Sequence, residues 1–302
     1  MKIFISNKTV DAKKQIIRRY KSYNGFAIIA LLMLSLTTGC AFKAIHRNKH
    51  IVYNSSDTGR TPQELNVFAP AKKKKSNPVL IFVHGGNWNS GNKRLYSFLG
   101  SRMARKGIVT VIPDYPKSPK AGYNEMAEDV AAAVKWTKEN IHTYGGDSNR
   151  IFISGHSAGG HLAALVSIKE DYFKKRNISN PIKGIVLIDA AGLDMYGYLK
   201  EENLSEGDTY LNTFGNNAET WKAASPIYFL HNGMPPMLIY RGGKTYPSIS
   251  VSNEKFIDSL KHYDTQFTYH IQPRKKHIPM ITQFFNPYNK RYKEIAYFME
   301  QR

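Results

Sequence analysis

Ser157 is the residue whose surroundings most clearly indicate chemistry. It lies in the segment Ile151-Phe-Ile-Ser-Gly-His-Ser-Ala-Gly-Gly-His161, which contains the pattern G-x-S-x-G. The residues Asn149–Ser154 are predicted to form a buried strand, and Gly159–Lys169 the helix that follows it. A strand that enters a helix through this pattern makes a sharp, strained turn, which presents the serine hydroxyl as a nucleophile at the edge of a sheet. The flanking glycines are expected because a Cβ atom there would collide with the neighbouring strand or helix.

A second glycine-rich segment, His84-Gly-Gly-Asn-Trp88, follows the predicted strand Val79–Val83. Nucleophilic attack on an ester gives a negatively charged oxygen, which backbone N–H groups can stabilise. We expect these groups to come from Gly85 or Gly86 and from Ala158, because glycine lets the main chain approach a ligand closely. Together the two segments predict a serine hydrolase with an oxyanion hole.

His277 is the predicted general base. It lies in a loop after the last predicted strand, Gln266–Ile271, and before the last predicted helix. In a parallel sheet such a loop reaches the same edge as Ser157, and a histidine late in the chain fits the order serine, acid, histidine. Of the histidines in the two motifs, His84 and His161 flank glycines and are predicted to orient loops, and His156 is the variable residue of the G-x-S-x-G pattern.

The remainder of the chain alternates strand and helix signals. Nearly continuous apolar strands that alternate with helices are typical of a parallel sheet covered on both faces. The predicted strands are Leu65–Phe68, Val79–Val83, Gly107–Pro113, Asn149–Ser154, Ile182–Ile188, Met237–Tyr240 and Gln266–Ile271. The predicted helices are Tyr123–Tyr144, Gly159–Lys169, Val251–Tyr263 and about Asn289–Gln301. The long aromatic connection at about 190–232 is predicted either to cap the active site or to form ordinary packing helices.

These segments resemble the α/β-hydrolase fold and, within it, the esterase group of hormone-sensitive-lipase-like and BD-FAE-type enzymes. The similarity is close over about residues 62–165 and loose elsewhere. The resemblance implies a mostly parallel central sheet with helices on both faces. It also implies hydrolysis of carboxylic esters through an acyl-enzyme on Ser157, with no metal or other cofactor. The further matching pieces are Asp114-Tyr115, Asp129-Val130, Val134-Lys-Trp136 and Gly145-Gly-Asp-Ser-Asn-Arg150.

The acid of the triad departs from the family pattern. An aspartate usually follows the penultimate strand and orients the histidine, but here that segment reads Arg241-Gly-Gly-Lys-Thr-Tyr-Pro247, with Thr245 at the expected position. A threonine cannot stabilise an imidazolium as a carboxylate does. The acid is therefore predicted to be Asp189, at the end of the neighbouring strand. Asp194 and the absence of any acid remain the alternatives.

An active esterase or deacetylase with a small-molecule ester as substrate is the predicted function. Two alternatives stay open: a hydrolase-fold protein that binds a ligand or a surface without turnover, and an amide or formamide hydrolase on the same scaffold. The presence of an acid would distinguish an enzyme from a protein that only binds, because a carboxylate next to the ring nitrogen of His277 that faces away from Ser157 favours an enzyme. The oligomeric state is left open.

The N-terminal segment predicts export and a lipid anchor. Basic residues precede the apolar run Phe26–Leu36, and small residues lead to Cys40, the one cysteine among 302 residues. This pattern is typical of a signal peptide and resembles a bacterial lipobox, although Thr37 stands where a leucine is usual. We expect a signal peptide over 1–39, a tether over 40–60, a catalytic domain over 61–302, and attachment to the cell envelope facing the periplasm or the exterior.

Charge and cysteine content argue against some further kinds of partner and site. The net charge is +20, but no nucleic-acid motif accompanies it, so a nucleic-acid partner is not expected. A single cysteine allows neither an internal disulfide nor a cysteine metal cluster.

Overall fold

The central sheet is the element that positions every residue discussed below. A computed structural model describes residues 43–54, 61–72, 76–202, 204–205 and 207–302. Within them the strands are Ile45–Asn54, Gln63–Pro70, Asn77–Val83, Val109–Pro113, Gly146–His156, Ile182–Ile188, Met237–Gly242 and Phe267–Gln272, numbered β1 to β8 in chain order. They form one eight-stranded sheet with the order β1-β2-β4-β3-β5-β6-β7-β8. The pairs β1–β2 and β2–β4 are antiparallel, and all other neighbouring strands are parallel.

Helices cover both faces of this sheet. They are Ser97–Arg105, Tyr123–Asn140, Ala158–Ile168, Asp171–Lys174, Met195–Glu201, Thr209–Phe214, Ala218–Ala223, Pro247–Leu260, His277–Thr282 and Lys290–Glu300, numbered α1 to α10 in chain order. Single-turn 3₁₀ helices occupy Lys93–Tyr96, Ile141–Tyr144, Pro226–Phe229 and Gln283–Phe285. No helix among the described residues has the length and the apolar character that crossing a membrane requires.

Two apolar cores explain why the strands are so uniformly hydrophobic. Successive side chains of a strand point to opposite faces, and here Ile81 packs in one core while its neighbour Phe82 packs in the other. The first core includes side chains of α2, α3 and α8, and the second includes side chains of α1 and α10. The fully buried strand residues each contribute roughly 1.5–3 kcal/mol by leaving water. The predicted α/β-hydrolase architecture, a mostly parallel sheet between helices, is therefore confirmed.

The predicted tether over 40–60 is wrong for residues 45–54, which form β1. This strand pairs antiparallel with β2, and its Ile51 and Tyr53 pack against the first core. The Tyr53 hydroxyl donates a hydrogen bond to the carbonyl oxygen of Asp114 at 2.6 Å. An edge strand keeps one face in water and can be polar there, so its apolar alternation was too weak to be recognised. The folded unit spans 44–302 rather than 61–302.

Some element boundaries also differ from the prediction. The helix predicted over Tyr123–Tyr144 ends at Asn140 and continues as a 3₁₀ turn, which Gly145 closes with a φ of 80°. The helix predicted from Val251 begins earlier, at Pro247, because proline is well tolerated in a first helical turn. The predicted signal peptide and Cys40 lie outside the described residues.

Candidate active site

Ser157 occupies the strained turn that its motif predicts. Strand β5 ends at His156 and α3 begins at Ala158, and Ser157 between them has φ 56° and ψ −125°. A positive φ is costly for a residue with a Cβ atom, so the surrounding packing must impose it. At Gly159 a Cβ atom would lie 2.2 Å from the carbonyl oxygen of Val83. The predicted reason for the glycines is thus confirmed, since strand end and helix start approach each other closely.

His277 and Asp189 complete a chain of hydrogen bonds that starts at Ser157. The Ser157 Oγ lies 2.9 Å from Nε2 of His277, and Nδ1 of the same ring lies 2.6 Å from Oδ2 of Asp189. The predicted contact of Asp189 with Nδ1 is confirmed. His277 is the first residue of α9, directly after the loop that follows β8. The roles of these residues in catalysis remain predictions, while their geometry is that of a nucleophile, a base and an orienting acid.

The carboxylate of Asp189 is held by its neighbours on the next strand. Its side chain is buried, and its φ of 48° places it in the left-handed region. The N–H of Gly242 donates to Oδ1 at 2.7 Å, and the Thr245 hydroxyl donates to Oδ2 at 2.5 Å. Thr245, which occupies the position where the family resemblance led us to expect the acid, therefore supports the acid instead.

Asp194, the alternative acid, has a different task. Its side chain accepts a hydrogen bond from the N–H of Gly197 at 2.9 Å and so caps the N-terminus of α5. It also lies 3.5 Å from the ammonium group of Lys255. The alternative that Asp194 orients His277 is therefore wrong, and the carboxylate serves as a helix cap.

The three N–H groups predicted for the oxyanion hole differ in their hydrogen bonding. Gly86, with φ 136°, lines the cleft beside Ser157. The N–H of Gly85 is instead 3.3 Å from the hydroxyl oxygen of Tyr96, to which it donates. Within the described part of the chain, the N–H groups of Gly86 and Ala158 have no hydrogen-bond acceptor. Of the three predicted donors, these two are the ones that remain available to a ligand.

A polar cluster around His84 supports this glycine loop, in agreement with the loop-orienting role predicted for His84, although its contacts were not predicted. The ring of His84 stacks on Tyr115 with centroids 4.3 Å apart, and the Tyr115 hydroxyl donates to the carbonyl oxygen of His84 at 2.9 Å. Lys93 donates to Asp114 at 2.6 Å. Burial alone would raise the pKa of Asp114, but the His84 ring, whose Nε2 lies 3.5 Å from Oδ1, and hydrogen bonds from Lys93 outweigh it and hold that pKa well below its usual range. The Asp114 carboxylate is thus ionised and paired with the Lys93 ammonium group next to the glycine loop.

Two further buried histidines lie next to the site, and burial favours the neutral form of both. His156 stacks on His277 at 4.6 Å, and burial, with a smaller contribution from His277, lowers the pKa of His156 to about 3. His161 accepts a hydrogen bond from Nε1 of Trp88 at 3.1 Å and lies 2.6 Å from the carbonyl oxygen of Ala224. Burial lowers the pKa of His161 to about 4. His161 therefore joins the glycine loop to the 190–232 segment, as its predicted orienting role requires.

A cleft of about 740 Å³ opens over Ser157 and His277. Three short helices of the 190–232 segment, α5 to α7, lie in the chain between β6 and β7, and several residues of that segment line the cleft. The segment therefore contributes a wall of the site, in line with the predicted cap. No group of three or more metal-binding side chains occurs among the described residues. The tryptophan and tyrosine residues that line the cleft are Trp88, Tyr96, Tyr198, Tyr210 and Tyr246.

The strained serine turn, the Ser157–His277–Asp189 contacts and the sheet order together define an α/β-hydrolase. The family model described as BD-FAE matches residues 65–255. The chain belongs to this family. The match ends before the loop that carries His277, so the base rests on the structure rather than on the family model.

The chain is also similar to curated relatives, and a solved structure shares its fold. The chain is 32% identical to Esterase LipQ of Mycobacterium tuberculosis over 69% of its own length and 50% of that protein. It is 25% identical to isoprenylcysteine alpha-carbonyl methylesterase ICME of Arabidopsis thaliana, over 78% of this chain and 57% of that one. It therefore spans about half the length of these relatives. Thermogutta terrifontis esterase 2 shares the fold with a TM-score of 0.69 at 22% identity, covering 86% of this chain and 95% of the other.

Asp189→Asn should remove most hydrolytic turnover with little loss of thermal stability. An amide at this position stabilises the wrong tautomer of His277, a change that can cost about 10⁴-fold in kcat. The measurement is kcat on a short-chain chromogenic ester together with the melting temperature. Asp194→Asn is the matched control and should retain turnover. Equal activity of Asp189→Asn and the wild type would contradict the assignment of the acid.

Proposed function

We propose that this protein is a serine carboxylic-ester hydrolase. The observation that carries the proposal is the chain of contacts from Ser157 through His277 to the buried carboxylate of Asp189. The names of two relatives, an esterase and a methylesterase, support an ester as the substrate class. Because the chain spans about half of each relative, its own activity has to be tested directly.

Acylation follows from the distances. The Ser157 hydroxyl attacks the carbonyl carbon of the ester while His277 accepts its proton at Nε2, which lies 2.9 Å away. The imidazolium that forms donates through Nδ1 to Asp189, whose negative charge stabilises it. The N–H groups of Gly86 and Ala158 are available to the negative oxygen of the tetrahedral intermediate. Collapse of this intermediate transfers the proton from His277 to the departing alcohol and leaves the acyl group on Ser157.

Deacylation reverses the roles with water as the nucleophile. His277 accepts a proton from a water molecule that attacks the acyl-enzyme, and a second tetrahedral intermediate forms. Its collapse returns the proton to Ser157 Oγ and releases the carboxylic acid. The same three side chains and the same backbone donors therefore serve both half-reactions.

The contact between the Asp189 carboxylate and His277 helps to choose between the proposed function and its two alternatives. A protein that only binds a ligand has no need of a buried acid aligned on the far nitrogen of a histidine, so the geometry favours turnover. An amide or formamide hydrolase would need the same residues. The printed names of the relatives favour esters over amides.

Replacement of the nucleophile tests the proposed function. Ser157→Ala should abolish hydrolysis of short-chain p-nitrophenyl esters and covalent labelling by a serine-directed phosphonate, because no other hydroxyl contacts His277 Nε2 within the described residues. Ser154→Ala is the matched control: its buried hydroxyl has no hydrogen-bond partner, so its loss should change neither readout. Product release is followed by absorbance and labelling by mass spectrometry. A phosphonate adduct at another residue would overturn the assignment.

The charge of the cleft differs from the charge of the whole chain. The chain carries +20, yet Asp194 and Glu202 line the cleft and, among the described residues, no lysine or arginine does. Asp194 is balanced by Lys255, whereas Glu202 has no ion-pair partner in the described part of the chain. Aromatic rings also attract cations over their faces. We infer that the site prefers esters with an uncharged or cationic group over esters with an anionic one.

Three thioacetate esters can test this preference if they differ only in the group at the far end of their thiol part. The kcat/KM for a trimethylammonium group should exceed that for a sulfonate, with a tert-butyl group between them. Glu202→Gln should reduce the cation-to-anion ratio roughly tenfold, since one charge acts on both substrates with opposite sign. Glu219→Gln, an exposed glutamate of α7 outside the cleft, is the control and should leave the ratio unchanged. The same ratio in Glu202→Gln and the wild type would refute the inference.

For localisation we propose a lipid-anchored protein of the bacterial cell envelope, facing the periplasm or the exterior. The proposal rests on the sequence of the N-terminal segment alone, in which basic residues, an apolar run and small residues precede Cys40. A lipidated cysteine with more than one acyl chain would hold the protein firmly, because a single chain binds only marginally.

Cys40→Ser should block processing or release the protein from the membrane fraction. The measurement compares membrane and soluble fractions by immunoblot and the mass of the mature N-terminus with the wild type. Thr37→Leu, which restores the residue that is usual at this position, is the control and should process at least as well. Unchanged retention and processing of Cys40→Ser would count against the anchor.

A further inference from the structure

The last residue of β7 and the turn that follows it, residues 242–246, contact both the acid and the loop that carries the base. We propose that Thr245 is a positioning residue: its hydroxyl fixes the Asp189 carboxylate in the orientation in which that group accepts the Nδ1 hydrogen bond of His277. The inference rests on the proposed function for its kinetic consequence, whereas its geometric part does not depend on turnover.

The hydrogen bonds of Asp189 are the first argument. One carboxylate oxygen, Oδ1, accepts from the backbone N–H of Gly242 at 2.7 Å. The other, Oδ2, accepts from the Thr245 hydroxyl at 2.5 Å and from His277 Nδ1 at 2.6 Å. A side-chain carboxylate rotates about two bonds, so the donor on Oδ1 alone does not fix where Oδ2 points. The Thr245 hydroxyl fixes it independently of the histidine.

The same turn is also attached to the loop before His277. The N–H of Lys244 donates to the carbonyl oxygen of Lys275 at 2.9 Å, and the N–H of Gly243 donates to that of Gln272 at 2.8 Å. A Cβ atom on Gly242 would lie 2.6 Å from the Lys275 carbonyl oxygen, so the turn and the loop are in direct backbone contact. Acid and base are therefore aligned through one short segment.

The chemistry of threonine suits this task. A β-branched side chain has few χ1 rotamers available, so the hydroxyl loses little freedom when it donates. Serine keeps the hydroxyl without the branch, and valine keeps the branched shape without a donor. These two substitutions separate the hydrogen bond from the space that the side chain fills.

The short distance between the two side chains has a second consequence. The Thr245 oxygen is 2.5 Å from the Asp189 oxygen that contacts the base. An aspartate at position 245 would extend about one bond, ~1.2 Å, beyond the threonine oxygen and so bring a carboxylate oxygen towards the place that Oδ2 occupies. With Asp189 present the two carboxylates would repel each other, because like charges this close cannot both remain ionised at low cost. With Asp189 replaced, the new carboxylate would be free to orient His277.

Single substitutions at Thr245 give the first test, with short-chain ester hydrolysis by the full chain as the readout. Thr245→Val should lower kcat about tenfold with little change in KM or melting temperature, as expected for loss of a hydrogen bond to a charged group. Thr245→Ser should stay within about twofold of the wild type if the donor is what matters. Equal kcat values for Thr245→Val and the wild type would overturn the proposal, as would a parallel loss in both variants.

Transfer of the carboxylate from position 189 to position 245 is the sharper test. Thr245→Asp alone should lose turnover, and Asp189→Asn, which suits the left-handed φ of 48° at that position, should lose it as well. The double variant should regain at least about tenfold in kcat over either single one, because a carboxylate again faces Nδ1. A double variant no more active than the single ones, although folded by circular dichroism, would show that position 245 does not face the base.

A readout without turnover separates failure of this inference from failure of the proposed function. The proton in the hydrogen bond between His277 Nδ1 and Asp189 should give a far-downfield proton NMR signal, which His277→Gln would identify by removing it. In Thr245→Val this signal should move or broaden, and in Thr245→Ser it should remain in place. An unchanged signal in Thr245→Val would overturn the positioning role even if the wild type hydrolysed no ester. Absence of turnover and of phosphonate labelling in the wild type would instead count against the esterase proposal.

Discussion

The close approach of β3, β5 and α3 is the constraint on which the rest of the site depends. At Gly159 there is no room for a Cβ atom, because the carbonyl oxygens of Val83 and His84 lie 2.2 and 2.4 Å from where it would be. This contact holds Ser157 in a positive-φ conformation and at the same time brings the glycine loop after β3 to the serine. Nucleophile and oxyanion donors are thus positioned by one packing arrangement between strand ends, and neither could be moved without the other.

The acid and the base depend on a second property of the sheet, the alignment of parallel strand ends. Ile188 of β6 pairs with Tyr240 of β7, so Asp189 and the turn after β7 are neighbours at the same edge. Adjacent strands lie about 4.8 Å apart, a distance that one side chain can span. A carboxylate on either strand end can therefore reach the same imidazole. In this chain the β6 end carries the carboxylate and the β7 end supplies two donors to it.

Much of this arrangement could be predicted from the sequence, because the decisive signals are local. The motif around Ser157 predicts its turn, and β6 forms over the predicted residues Ile182–Ile188. The contact of Asp189 with His277 could be predicted because both follow strands of one parallel sheet. The strand β1 could not, since an edge strand with a solvated face carries little apolar alternation. The cluster around Asp114 was also missed, because its partners lie far apart in the chain and polar burial leaves no periodic pattern.

At position 245 the family motif and the structure lead to different interpretations of the same residue. Comparison with the family pattern identifies Thr245 only as a missing acid, and it leaves the acid to another residue or to none. The structure shows instead that the position still contacts the base indirectly, through the carboxylate that it holds. A hydroxyl can donate a hydrogen bond, whereas a carboxylate can only accept one. With threonine rather than aspartate at position 245, the carboxylate that accepts from His277 therefore has to come from the end of the neighbouring strand, β6. The positive φ of Asp189 fits this view, since strain at a functional residue persists only where its surroundings impose it.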